Sequence, residues 1–233
     1  MVLGLAEAGA HLIIVHRGST DPSEAVEKLQ ALGAQVGTVV AELSSNEEFD
    51  TILPQALKIS PTGSVDVLVN NAGMSYYRKG AEDTEDIAWD TVLQVNITSV
   101  FRLSRAFGKY WISEGKKGKI INTASLYSFI GGQNVIPYTA SKGALHSLTQ
   151  GLSNEWSKRG INVNSIVPGY IITDMTSDLV KDKEKYADLL KRIPAGRWGN
   201  PADFKGPIVF LASAASDYVT GDSIFVDGGF IAN

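Results

Sequence analysis

The sequence predicts a doubly wound α/β domain built on a mostly parallel sheet, and three observations carry that expectation. Short β-branched runs alternate with longer stretches of helical periodicity along the whole chain, the pattern of a parallel sheet covered on both faces. The 233 residues suit one large domain of this kind, and no linker or internal repeat divides them. With 44% hydrophobic and 20% charged residues the composition is that of a globular core, neither low-complexity nor disordered. Residues 1–233 are therefore read as a single domain.

Each element follows in order. Residues 1–10 carry a helical pattern that ends at Gly9, placed as a carboxyl-terminal cap. Strands are expected at 11–16, 35–41, 65–70, 119–124, 162–167 and 223–226, each a short apolar, β-branched run. Between them, periodic segments at 23–32, 46–59, 87–114, 137–159, 183–191 and 201–212 are long enough to cross over from one parallel strand to the next. In open sheets of this type ligands bind beyond the carboxyl ends of the strands. The residues just after each strand are where chemistry is to be sought.

Composition excludes several classes of function. A formal charge of -4, from 21 Lys and Arg against 25 Asp and Glu, gives no reason to expect binding along a nucleic-acid backbone. The chain has no cysteine, which excludes disulfides, thiolate metal sites and a cysteine nucleophile and fits the reducing cytoplasm. Its longest apolar stretches fall well short of a membrane span, and no signal peptide opens it. His11 and His16 lie too far along the chain from clustered carboxylates to suggest a metal site.

The strongest chemical signal follows the strand at 119–124. Ser125 stands at its end, and after a loop Tyr138 and Lys142 open a helix with i, i+4 spacing that puts both on one face. An ammonium beside a phenol favours the phenolate and draws its pKa down from about 10, which suits Tyr138 to general acid or base work. Ser125 is placed to hydrogen-bond the substrate oxygen beside it.

Asn70-Asn71-Ala72-Gly73 ends a strand, Asn96 lies within Val95-Asn96-Ile97, and Ser125, Tyr138 and Lys142 come next. Pro168-Gly169-Tyr170-Ile171-Ile172-Thr173 and Val226-Asp227-Gly228-Gly229 complete the order. With these elements in this spacing, the chain resembles the short-chain dehydrogenase/reductase family over its whole length. Residues 192–199, with 210–213 and 215–218, look most like the gluconate and deoxygluconate dehydrogenases within it.

The resemblance implies a Rossmann-like fold and a nicotinamide-dependent oxidoreductase that interconverts a ketone and a secondary alcohol, with a sugar-derived or other polar small molecule as substrate. It implies that Tyr138 passes the proton and Ser125 polarises the substrate oxygen. Lys142 would lower the Tyr138 pKa and bond the nicotinamide ribose, and Asn96 would hold a water in a proton relay. Asn70, Ala72 and Gly73 would line the cofactor, the glycine allowing close approach, and Pro168, Gly169, Ile171 and Thr173 would frame the carboxamide. A homo-oligomer, dimer or tetramer, is implied as well. The charged run at 178–191 reads as a solvated helix, and its place after Thr173 suggests a substrate lid.

The front of the chain departs from the family. The strand and glycine-rich turn that normally receive the pyrophosphate are not seen, and Gly4 and Gly9 do not replace them. That strand would lie between 11–16 and 65–70. A mis-set start or trimmed chain, a sheet that closes over the gap, and an enzyme that works as written are the three explanations. At the end of 11–16 the chain offers Arg17 where an NAD enzyme places a carboxylate, so NADP is expected over NAD. Glu42 stands where the family usually has an Asp against the adenine.

Two rival functions remain open at this level: a catalytically silent binding or scaffolding subunit, and a reductase of bulkier hydrophobic ketones. Within the sugar reading, the loop between Ser125 and Tyr138 contributes Tyr127, Ser128, Gln133 and Asn134, which suit hydroxyls, so neutral keto-sugars are expected to serve at least as well as acids. Only Arg192 and Arg197, beyond the lid, offer a cation to a carboxylate.

Overall fold

The computed structural model describes residues 1–45 and 48–233. The expected alternation is there. In chain order the elements are α1 (Val2–Glu7), β1 (Leu12–His16), α2 (Ser23–Gln30), β2 (Val36–Val40), α3 (Phe49–Ile59) and β3 (Val67–Asn70). There follow α4 (Asp86–Leu93), α5 (Ser99–Ser113), β4 (Gly118–Thr123), α6 (Ile136–Trp156) and β5 (Ile161–Pro168). The last are α7 (Ser177–Lys181), α8 (Lys183–Lys191), α9 (Lys205–Ala212) and β6 (Ser223–Val226). The start of the helix expected at 46–59 falls on residues 46 and 47, which lie outside the described residues.

Every strand pair is parallel. The strands form two groups, β1-β2 and β3-β4-β5-β6, so β1 and β3 each pair on one side only. The sheet therefore does not close over the position between β1 and β3. One apolar cluster joins the groups instead: Val39 within β2 and Ala41 just after it, Phe49 and Ile52 of α3, and Leu103 of α5, against Ile13 of β1 and Leu68 of β3.

Both faces of the larger group are covered, and the pleat decides which residue goes where. Ile120 and Val163 point to one side, under Phe107 and Trp111 of α5 and Leu152 of α6. Ile121 and Ile166 point to the other, under Phe204, Ile208 and Leu211, with Leu5 of α1 alongside. Helix α1 ends as the sequence suggests. Gly9 has φ +85, its N–H donates to Ala6 and that of Ala10 to Leu5, a glycine-terminated Schellman closure.

The helix expected at 183–191 forms as α8, and two features lie beyond what the periodicity indicated. The stretch 87–114 is interrupted by a π-turn at Gln94–Thr98, centred on Asn96. The lid region 178–191 is two short helices, α7 and α8, broken at Asp182, whose carboxylate accepts from the Lys185 N–H and so starts the second. An apolar cluster of Ala124, Leu126, Val167, Ile193, Trp198 and Phe230 sits at the carboxyl end of the sheet, and Leu179, Tyr186 and Leu189 fasten the lid to it.

Candidate active site

The sequence-predicted residues gather at the carboxyl ends of the strands. Ser125 follows β4, Asn70 ends β3, and Pro168, Gly169, Ile171 and Thr173 continue from β5. Tyr138 and Lys142 lie in the first turns of α6. Proline at the helix start fixes the backbone there, so the two side chains share a face as expected, with the Lys142 ammonium 5.5 Å from the centre of the Tyr138 ring.

Ser125 is buried and caps the short turn behind it, its hydroxyl accepting from the Tyr127 N–H at 3.2 Å. Burial pushes the Tyr138 phenol above its ordinary range, while a hydrogen bond with Ser125 draws it back down. Lys142, only 3% exposed, is lowered to about 8 by desolvation. Its ammonium donates to the Thr123 carbonyl at 2.6 Å. In this geometry, then, Lys142 answers the nearest strong acceptor at the end of β4, and burial governs the phenol.

Asn96 is wholly buried, and its side-chain amide is fully engaged by the chain. Its Oδ1 accepts from the Met74 N–H at 2.9 Å, and its Nδ2 donates to the Met74 carbonyl at 2.8 Å and the Ser141 hydroxyl at 3.0 Å. Ser141 in turn donates to the Tyr138 carbonyl. The residue thus ties the segment after β3 to the helix that carries Tyr138 and Lys142; its side chain acts as a brace. A second buried chain runs from Ser104 through Asn70 and Asn122 to Thr149, fixing β3 and β4 against α5 and α6.

The residues fit a nicotinamide dinucleotide on two observations. Asn70 Oδ1 is buried without a partner at the end of β3. Gly73 leaves open the space next to Lys142: a Cβ there would stand 3.6 Å from the ammonium and 3.5 Å from Asn96 Oδ1. Gly169 is required for a different reason, since a Cβ would come within 2.6 Å of the Asp227 backbone, where its own N–H donates to the Val226 carbonyl. Ala72 and Thr173 are exposed along the same rim. Thr173 is also the cap of the turn that starts the lid, bonded to Thr176.

Arg17 is exposed just beyond β1, in the smaller group of strands. The Glu42 carboxylate is engaged locally: it accepts from the Ser44 N–H and hydroxyl, which hold it below the usual carboxylate range with a smaller pull from Arg17. His146 is a packing residue, 4.6 Å from the Phe129 ring.

Sequence reasoning gave no role to Tyr170, Ser141 or the Thr123 carbonyl. The Tyr170 hydroxyl lies 3.3 Å from that of Tyr127, and the Tyr127 ring meets the Tyr138 ring edge-on at 6.2 Å. The position of Ser141, three residues beyond Tyr138, was the one readable signal among them.

Comparison with known proteins accords with this arrangement. A family model described as enoyl-(acyl carrier protein) reductase matches residues 1–231. The chain is 46% identical to the 2-dehydro-3-deoxy-D-gluconate 5-dehydrogenase of Escherichia coli (strain K12), over 100% of its own length and 90% of that protein. It is 41% identical to the 5-keto-D-gluconate 5-reductase of the same strain, over 99% of its length and 89% of that protein. It also superposes with a TM-score of 0.92 on the crystal structure of a gluconate 5-dehydrogenase from Burkholderia cenocepacia J2315 in complex with NADP and tartrate. That pair is 34% identical and covers 100% of this chain and 90% of the other. With the serine, tyrosine and lysine assembled at the carboxyl end of a parallel sheet, the chain belongs to the short-chain dehydrogenases/reductases, NAD(P)-dependent oxidoreductases that transfer hydride.

Proposed function

We propose that residues 1–233 act as one dinucleotide-binding and catalytic domain that interconverts a sugar-derived ketone and its secondary alcohol, with a sugar acid as the leading substrate and NADP as the preferred cofactor. The observation that carries this is the meeting of Ser125, Tyr138 and Lys142 in one partly buried site. The substrate class rests on the relatives, which are enzymes of gluconate and deoxygluconate derivatives.

The bound nicotinamide would supply the hydride. The chain's own part is to hold the substrate oxygen at the Ser125 hydroxyl and to give it the proton of the Tyr138 phenol during reduction. Lys142, with its ammonium at the open edge left by Gly73, would hold the nicotinamide ribose and balance the negative charge left on the phenol as its proton goes to the substrate oxygen. Pro168, Gly169, Ile171 and Thr173 would set the face presented to the substrate. Arg17 supports NADP, since its exposed guanidinium has room for a 2′-phosphate.

An assembly of like subunits is part of the reading. β6 pairs on one side only, and Phe225 on it and Phe129 beside it are each 39% exposed with their rings 4.9 Å apart. The cysteine-free composition supports a cytoplasmic setting. No helix among the described residues is long and apolar enough to cross a membrane.

The test is Tyr138→Phe, followed by the disappearance of NADPH with 5-keto-D-gluconate. Turnover is expected to fall by about 10² or more while NADPH affinity holds. Near wild-type turnover would remove Tyr138 from the chemistry.

A further inference from the structure

The two arginines that follow the lid are used in opposite ways. Arg197 is committed within the chain. Both its Nη atoms donate to Asp203 at 2.8 Å, and Nη1 also reaches the Trp198 carbonyl at 3.1 Å. Three of its five N–H donors are taken in this way, and the pair serves to close the 197–203 turn.

Arg192 is held by its face. Its guanidinium carbon lies 4.5 Å from the centre of the buried Phe230 ring, a cation–π seat that orients the planar group without using its N–H donors. Among the described residues it takes part in no ion pair and no side-chain hydrogen bond, and the residue is exposed.

A continuous wall links it to the reacting groups. Phe230 packs on Tyr170 with ring centres 5.2 Å apart, the Tyr170 and Tyr127 hydroxyls are 3.3 Å apart, and Tyr127 stands edge-on to Tyr138. Burial pushes the Tyr170 phenol up and the Tyr127 hydroxyl adds to the rise, against which the charge of Arg192 is a smaller pull downward. One end of the wall is thus a fixed cation and the other the proton donor, with two phenol hydroxyls between.

We propose that Arg192 receives the carboxylate of the substrate, with the Tyr170 and Tyr127 hydroxyls beside the intervening carbons and the carbonyl at Ser125 and Tyr138. This deepens the sugar-acid reading and rests on it. A guanidinium with free N–H groups pairs with a carboxylate through two charge-assisted bonds. Three aromatic residues, Phe230, Tyr170 and Tyr127, separate the cation from the acid/base tyrosine, so the substrate class is a keto acid whose reacting carbonyl is remote from its carboxylate. Reaction at a C2 carbonyl, adjacent to the carboxylate, does not engage both ends. The loop between Ser125 and Tyr138 holds no cation, which suggested neutral sugars; the arginine comes instead from the far side of the lid.

The test compares 5-keto-D-gluconate with its methyl ester, which keeps the shape and loses the charge, in the wild-type chain and in Arg192→Gln and Arg192→Lys. The wild type is expected to favour the acid by about a hundredfold in kcat/KM, mostly through KM. Arg192→Gln is expected to lose that preference by weakening the acid alone, with the ester unchanged, and Arg192→Lys to keep part of it. A second readout needs no turnover: D-gluconate raises the melting temperature of the wild type more than glucitol does, and the difference vanishes in Arg192→Gln.

Equal losses on acid and ester, or a preference that survives in Arg192→Gln, would overturn the assignment and leave the sugar-acid reading standing. A wild type that does not favour the acid would overturn both.

Discussion

Replacing Asn96 by alanine separates a brace from a relay. The side chain is fully buried and makes three hydrogen bonds, two to the Met74 backbone and one to the Ser141 hydroxyl. Alanine strands the Met74 N–H and carbonyl in a partly buried place, at about 1–3 kcal/mol for each group left unsatisfied. Ser141 loses less, because its own hydrogen still goes to the Tyr138 carbonyl. Water admitted by the smaller side chain offsets part of this, so about 3 kcal/mol is expected in total. For a chain of this size that lowers the melting temperature by roughly 6–12 °C. The assay is a thermal melt followed by near-ultraviolet circular dichroism, with NADPH affinity measured well below the transition. Affinity is expected to weaken, because the segment carrying Gly73 and Met74 comes loose from the helix of Tyr138 and Lys142. A melt within about 2 °C of wild type, less than 1 kcal/mol at this size, would refute the brace.

Two further perturbations test the cofactor and the turn behind the site. Arg17→Asp is expected to weaken NADPH and improve NADH, because a carboxylate repels a 2′-phosphate and accepts from free ribose hydroxyls; affinities that keep their ratio would leave Arg17 in solvent. Asp203 is held down to about 2 by Arg197 and by the Asn200 N–H. A carboxyl lowered on folding contributes stability above its unfolded pKa of about 4 that is lost as pH falls through about 2. Asp203→Asn should therefore be less stable than wild type at pH 7, by about 1–2 kcal/mol after allowance for solvent screening. The gap should shrink between about pH 4 and 2 in acid melts, and a gap independent of pH would remove the ion pair as its cause.

What the sequence made legible was local. Each strand run was recognisable because β-branched residues and flanking turns sit next to one another, and Tyr138 and Lys142 were readable because helical spacing alone brings them together. The break at Asn96 was not, since the π-turn accompanies hydrogen bonds to Met74, 22 positions away in the chain. Nor was the difference between Arg192 and Arg197. Both stand in one short stretch, and only the fold decides that one meets Asp203 and the other the face of Phe230. The lowering of the Tyr138 phenol expected from Lys142 does not appear: burial raises the phenol, and the Lys142 ammonium turns to the Thr123 carbonyl, 19 positions away in the chain.

The division of the strands into two groups has a mechanical side. Hydrogen bonds resist sliding because they are directional, whereas an apolar seam such as that of Ile13, Val39, Leu68 and Leu103 resists separation but little shear. Arg17 rides on one plate, and Ser125, Tyr138 and Lys142 ride on the other. A ligand long enough to touch both would act as a rivet, and the stiffness it adds would appear in whichever motion slides Arg17 past Ser125 and Tyr138.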